Sequence, residues 1–144
     1  MLTIHATSVA LDDDGVLLSG PPGSGKSDLA LRLMDAGASL VADDYTRLSE
    51  GDGALHAAPP DNIAGLMEVR GLGVVRQPYR ASVPVRLLVT MAPAHAIPRL
   101  PDPSTESLMD HDVPSVAMDA AAPSAVARVR LALDIVTGRR ERAE

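Results

Sequence analysis

Three features of this 144-residue sequence predict an α/β fold. The apolar run Val16–Ser19 passes directly into Gly-Pro-Pro-Gly-Ser-Gly-Lys-Ser at Gly20–Ser27, and a helix-forming stretch, Asp28–Ala36, follows at once. A second short apolar run, Ser39–Ala42, comes only a few residues later. A second amphipathic stretch, Pro123–Thr137, lies near the C-terminus. The length suits one domain with a core of its own.

In order along the chain, Thr3–Leu11 reads as a strand, and Asp12-Asp13-Asp14-Gly15 as a hairpin turn, because Asp-Gly tolerates positive φ. Val16–Ser19 is the next strand. In the helix Asp28–Ala36, the residues Asp28, Arg32 and Asp35 share one face, while Leu29, Ala30, Leu33 and Met34 point to the core. Gly37 suits the position just past the helix end. Ser39–Ala42 is an apolar strand ending in Asp43-Asp44, with Tyr45–Leu48 continuing it and Glu50–Gly53 as a turn. Ala54–Ala57 pairs back before Pro59-Pro60 interrupts. For Ile63–Val69 the periodicity does not decide between a short helix and an extended segment. Val74-Val75, Val85–Thr90 and Val116–Met118 read as strands. Ala92–Pro103, with prolines at 93, 98, 101 and 103, reads as a loop long enough to carry function. In the final helix, Val126, Val129, Leu133 and Val136 form the apolar stripe and Gly138 stops it.

Composition excludes several function classes. The chain has no Phe, no Trp and only two tyrosines, so aliphatic residues must build the core. A net charge of −6 and the lack of base-stacking aromatics argue against a nucleic-acid surface. Arg139, Arg140 and Arg142 cluster near the C-terminus, but Glu141 and Glu144 interrupt them, as in a solvated helix end. No apolar run reaches the length of a membrane span. Met1-Leu2-Thr3-Ile4-His5 lacks the features of a signal peptide, which points to the cytoplasm. Without cysteine there are no disulfides and no thiolate metal sites.

Gly20, Pro21, Pro22, Gly23, Ser24, Gly25, Lys26 and Ser27 fill every fixed position of the phosphate-loop pattern G-x-x-x-x-G-K-[ST]. A glycine-rich turn between strand and helix lets successive N–H groups curl around a phosphate at the positive helix end. Lys26 then reaches the β- and γ-phosphates, and the Ser27 hydroxyl can ligate Mg²⁺. The expected ligand is ATP–Mg²⁺ or another nucleoside triphosphate. Asp43 ends an apolar strand, where side chains of α/β sheets open onto the ligand crevice. Adjacent carboxylates on an extended strand point to opposite sides, so one of Asp43 and Asp44 is expected to face the phosphates. The alternative is a solvated turn. Glu68-Val69-Arg70-Gly71-Leu72-Gly73 is a second dense cluster; Glu68 and Arg70 share a side if the stretch is extended, and a surface ion pair is the competing reading.

Gly20–Ser27, then Leu40-Val41-Ala42-Asp43-Asp44, then Met67-Glu68-Val69-Arg70-Gly71-Leu72-Gly73 resemble, in order and spacing, the catalytic domain of HPr kinase/phosphorylase. That bacterial enzyme phosphorylates a serine of the phosphocarrier HPr. The likeness runs from about His5 to Asp134, strongest in the first half. It implies a single P-loop domain, residues 1–138, with a phosphoenolpyruvate-carboxykinase-like mixed sheet and flanking helices, followed by a charged tail, residues 139–144. It implies that Asp43 is the acid/base residue, that Ser27 and Glu68 help hold the metal with Asp44 beside them, and that Arg70 belongs to a signature connected with dephosphorylation. His5 would line the phosphate site, and Arg99 matches an arginine on a mobile loop that approaches the transferred group. HPr is the implied partner, and a hexamer the family's assembly. Two departures stand out: the chain opens at the catalytic core, and Ala120–Ala125 replaces a Pro-Gly-Arg-Asn-type turn before the last helix. In this it resembles truncated alphaproteobacterial versions connected with regulatory phosphotransferase systems.

Two other classes use the same loop: a small-molecule kinase, which normally adds a lid and an acceptor pocket, and a nucleotide-binding regulatory module without catalysis. Asp43, Glu68 and Arg99 together favour an enzyme.

Overall fold

The computed structural model describes residues 1–144. Eleven strands and two helices follow in the order β1 (Leu2–Ile4), β2 (Thr7–Leu11), β3 (Asp14–Ser19), α1 (Lys26–Asp35), β4 (Ser39–Ala42), β5 (Thr46–Gly51), β6 (Ala54–Ala58), β7 (Leu66–Val69), β8 (Gly73–Arg76), β9 (Val83–Met91), β10 (Ser104–Leu108), β11 (His111–Met118) and α2 (Ala125–Val136). Nine strands make one mixed sheet in the order β1-β5-β6-β9-β3-β2-β4, with β11 alongside β9 and β10 at the edge; β7 and β8 form a separate hairpin.

The sheet curls because β9 changes partners along its length. Val83 and Pro84 pair with β6, whereas Val85–Thr90 run parallel to β3 and Leu88–Met91 run parallel to β11. Side chains alternate across β3: Val16 and Leu18 join a core with Leu29 and Leu33 of α1 and Val129 and Leu133 of α2, while Leu17 packs on the other face with Val41, Leu48 and Leu88. Both faces of this central strand are therefore dry, which is why it reads as an unbroken apolar run.

Several elements differ from the sequence expectation. Thr3–Leu11 is broken at His5-Ala6, since β1 pairs with β5 and β2 with β3. The hairpin turn is only Asp12-Asp13, with Asp12 at φ 54°, and Asp14 and Gly15 already lie in β3. Tyr45–Leu48 does not continue β4: Asp44 turns the chain at φ 67°, and β5 runs on to Gly51. Ile63–Val69 resolves into the end of a 3-10 turn, Asp61–Ile63, and then β7. β11 extends well beyond Val116–Met118, and the unanticipated β10 is exposed along nearly its whole length. Nothing apolar in Ser104-Thr105-Glu106-Ser107 signals a strand; it exists by pairing with β11. On the final helix, Val129 and Leu133 are buried, but Val136 is exposed and Ala125 takes a core position.

Candidate active site

The Gly20–Ser27 loop joins the end of β3 to the start of α1 as its sequence requires. Close packing dictates two of its glycines. A Cβ on Gly20 would lie 2.7 Å from Ser24 Oγ and 2.9 Å from Met91 Cβ, and one on Gly25, at φ 97°, would lie 2.9 Å from Ala120. The N–H groups of Gly23, Gly25, Lys26, Ser27 and Asp28 find no backbone acceptor, although Ser24 N–H reaches Pro21 O at 3.1 Å. They sit at the positive end of α1 and form a concave set of donors suited to an anion. Lys26 is buried at 6% exposure, its Nζ donating to Gly20 O at 2.9 Å, so its charge lies across the loop it serves.

Asp43 follows β4 and is 8% exposed. Its carboxylate is a junction of three elements. Ser27 Oγ of α1 donates to Oδ1 at 2.8 Å, Thr7 Oγ1 of β2 donates to the same oxygen at 3.4 Å, and the Glu68 N–H of β7 donates to Oδ2 at 3.1 Å. Hydrogen bonds to both oxygens fix the carboxylate's plane. Thr7, completely buried, also accepts the Asp44 N–H at 3.0 Å. That bond accompanies the left-handed conformation of Asp44, so the pair is not extended, and both residues line the same cleft. The extended geometry that would send the two to opposite sides is absent here.

The cleft has a volume of about 780 Å³, walled by the loop and first turns of α1, by Asp43 and Asp44, and by the β7–β8 hairpin with Glu68, Arg70, Gly71 and Gly73. The second cluster in the sequence is thus a hairpin, Glu68 pairing across it with Val74, rather than a surface ion pair. Its attachment is firm: Met67 is 1% exposed in the core, and Gln77 N–H reaches Gly65 O at 2.7 Å. Leu40 of β4 also bridges to Tyr79 just past the hairpin.

The remaining candidates lie farther out. His5 Nε2 is 2.7 Å from Asp44 Oδ1 and its ring stacks on Tyr45 with centroids 5.2 Å apart, so it backs the Asp44 carboxylate instead of bordering the cleft. Arg99 is exposed on the segment between β9 and β10 and is not part of the cleft wall. That segment does start beside the phosphate loop, where Met91 packs on Gly20 and Ala92 N–H bonds to Met118 O. Thr7 escaped the sequence reading; its signal is a pair of hydroxyl residues, Thr7-Ser8, inside an otherwise apolar buried strand.

No helix is long and apolar enough to cross a membrane. For a divalent cation, the hydroxyl of Ser27 and the carboxylate of Asp43 already converge, with Glu68 and Asp44 on the same cleft. Few hard oxygen donors, leaving room for water and phosphate, suit Mg²⁺.

The chain resembles known proteins over most of its length. The model of the HPr Serine kinase C-terminal domain family matches residues 1–129. The HPr kinase/phosphorylase of Stenotrophomonas maltophilia is 35% identical over 130 residues, covering 80% of this chain and 41% of that protein. That of Clostridium tetani is 40% identical over 75 residues, 52% of this chain and 25% of its own. The chain thus spans less than half the length of these curated relatives. A solved structure, the Hpr(Ser) kinase/phosphatase from Coxiella burnetii, superposes with a TM-score of 0.81 at 25% identity, covering 96% of this chain and 91% of that one. The curled mixed sheet with its flanking helices is therefore that of the kinase/phosphatase, and the chain belongs to the HPr serine kinase C-terminal domain family.

Proposed function

We propose that this protein is an ATP-dependent serine kinase acting on an HPr-type phosphocarrier protein in the cytoplasm, where ATP is supplied. The observation that carries this reading is the Asp43 carboxylate, buried and held by Ser27 on one side and the Glu68 amide on the other, beside a set of N–H donors without acceptors. Phosphoryl transfer asks mainly for positioning and for stabilised charge, and this site offers both.

In this reading the donors of Gly23–Asp28 and the Lys26 ammonium hold the triphosphate. Ser27 and Glu68, with Asp44 at hand, would hold Mg²⁺, which when bound neutralises phosphate charge. The acceptor serine enters the cleft beside Asp43. As its oxygen bonds to the γ-phosphorus and the bond to the leaving ADP oxygen breaks, Asp43 takes the hydroxyl proton. In the reverse direction inorganic phosphate attacks phosphoserine, the serine oxygen leaves with the proton held by Asp43, and pyrophosphate is released. Arg70, exposed at the hairpin turn, is a second cation on the cleft wall besides Lys26. Arg99 would act only after its segment moves toward the loop.

Incubation with γ-labelled ATP, Mg²⁺ and HPr from the same organism tests the proposal. Label on one HPr serine is the expected result. ATP turnover without labelled HPr would instead favour a small-molecule kinase, and binding without turnover a regulatory module.

A further inference from the structure

Where a chain leaves its sheet, something other than the backbone ladder must hold it. The β2–β4 ladder ends at Ser8 opposite Ala42, so Asp43 is the first residue beyond it, and β5 joins β1 only from Thr46 onward. Three hydroxyls span the gap. Thr7, Ser8 and Thr46 are all completely buried, and with Asp43 they make up four of the six buried polar or charged residues. Thr46 Oγ1 donates to Ala6 O at 2.9 Å, so a lone pair is left to take the Ser8 hydroxyl at 2.8 Å. Thr7 Oγ1 accepts the Asp44 N–H at 3.0 Å, which leaves its one proton for Asp43 Oδ1, 3.4 Å away. Successive side chains of a strand point to opposite sides, so Thr7 and Ser8 reach the two ends of one turn. Buried hydroxyls carry a desolvation cost that apolar side chains in the same space would not. Proton transfer by Asp43 uses none of the three directly; what they share is the segment they hold, Asp43 to Thr46.

We propose that Thr7 is a positioning residue for phosphoryl transfer, the group that aims the Asp43 carboxylate at the acceptor hydroxyl. Ser27 and the Glu68 N–H also hold that carboxylate, but they belong to α1 and to the β7–β8 hairpin, the two walls of the cleft. Thr7 lies behind it, on a strand that is buried throughout and paired on both sides, to β3 and to β4. Its hydroxyl therefore refers the carboxylate to the rigid sheet. The contact to Oδ1 is long, so it restrains direction more than it binds. The shorter bond from the Asp44 N–H keeps the hydroxyl from rotating away. A proton acceptor must meet its donor within hydrogen-bond reach and at the right angle, and small errors of placement lower the rate steeply. The role of Thr7 rests on the reading of Asp43 as the proton acceptor and adds to it the residue that aims it.

The test compares Thr7 variants in labelled transfer to HPr. Thr7→Val keeps the volume and removes the hydroxyl, so kcat should fall roughly tenfold while KM for ATP stays within about twofold of wild type. Thr7→Ser keeps the hydroxyl and loses a methyl, and should restore most of the rate. A packing role predicts the opposite order, because only Thr7→Ser leaves a cavity. In an Asp43→Asn background Thr7→Val should change little, since the group it aims is gone. If Thr7→Val does not fold, Thr7→Ala against Thr7→Ser decides, because these two differ only by the hydroxyl. Amide exchange adds a readout free of activity. The Glu68 N–H donates to Asp43 Oδ2 from another element, and it should exchange several-fold faster in Thr7→Val than in the wild type or Thr7→Ser. An undiminished kcat in Thr7→Val, a slower Thr7→Ser than Thr7→Val, an equal loss in the Asp43→Asn background, or the same Glu68 exchange in all three proteins would overturn the role of Thr7. A wild-type rate in Asp43→Asn alone would instead overturn Asp43 as the base.

Discussion

The two ends of β3 hold opposite kinds of polar structure. At the Ser19 end the strand feeds the phosphate loop, where five N–H groups lack backbone acceptors and the Lys26 ammonium is buried against a carbonyl. At the Asp14 end polar groups satisfy one another. The Asp14 carboxylate, 11% exposed, accepts from Arg139 Nη2 at 2.8 Å and has Arg86 Nε at 3.5 Å. A second cleft, about 530 Å³, opens there, lined by Asp14, Asp112, Arg86 and Arg139. Its charges balance, two of each sign, so it presents no net field to an ionic ligand. The cleft at the loop instead has donors without acceptors and a lysine at its floor. The difference teaches where to look for chemistry: unsatisfied groups held in place mark a binding site, and mutually satisfied ones mark a brace.

Substitutions at the Ser19 end should change chemistry more than stability. Asp43→Asn should have the largest effect. It keeps the shape and can still accept from Ser27, but cannot take a proton, so transfer to HPr should fall by roughly 10²–10⁴ while ATP–Mg²⁺ still binds. Transfer near the wild-type rate would remove Asp43 as the base; lost ATP binding would make it a metal ligand first. Lys26→Ala should follow, with a loss of about 10²–10³ in turnover accompanied by weaker phosphate binding, because one charge aimed at the transferred group is gone. Turnover within threefold of wild type would refute the loop's role. Glu68→Gln should have a milder effect: its backbone bond to Asp43 survives, so only the Mg²⁺ concentration needed for activity should rise, by several-fold. An unchanged metal titration would take the Glu68 side chain out of the site.

What the sequence made legible divides along a physical line. Gly20–Ser27 could be read because a phosphate loop is a fixed local pattern of glycines, lysine and serine between a strand and a helix. Asp43 could be placed because the apolar strand Ser39–Ala42 delivers it. Thr7 and the Asp14–Arg139 pair could not, because each acts through partners far along the chain, 125 positions apart for Arg139 and Asp14. β10 was invisible for a related reason, as an exposed polar strand has no pattern of its own and exists only by its ladder to β11. The left-handed turn at Asp44 also involves a distant group, the Thr7 hydroxyl, which accepts its N–H. The family resemblance supplied roles for His5 and Arg99 that the geometry leaves at a distance from the cleft.

The last substitution tests the braced end and should be nearly silent in chemistry. Arg139 follows α2 and returns to β3, tying the end of the chain to the central strand. The Asp14 hydrogen bond and charge raise the Arg139 pKa above its ordinary value. A raised pKa on a cation means that the stabilisation is complete below the unfolded-state value and is lost only as pH climbs past the folded one, so the brace is constant through the neutral range. Arg139 itself is half exposed, and solvent screens much of the attraction. Asp14 is not exposed, and without Arg139 it retains only the longer contact to Arg86. Arg139→Gln should therefore lower the unfolding temperature by a few degrees, with nucleotide affinity and transfer rate at 25 °C unchanged. Asp14→Asn should lower it by a similar amount, and the double substitution should cost less than the sum, since both remove one pair. A loss of ATP affinity in Arg139→Gln would show that the two ends of β3 are coupled, and that the brace sets the shape of the loop at the far end.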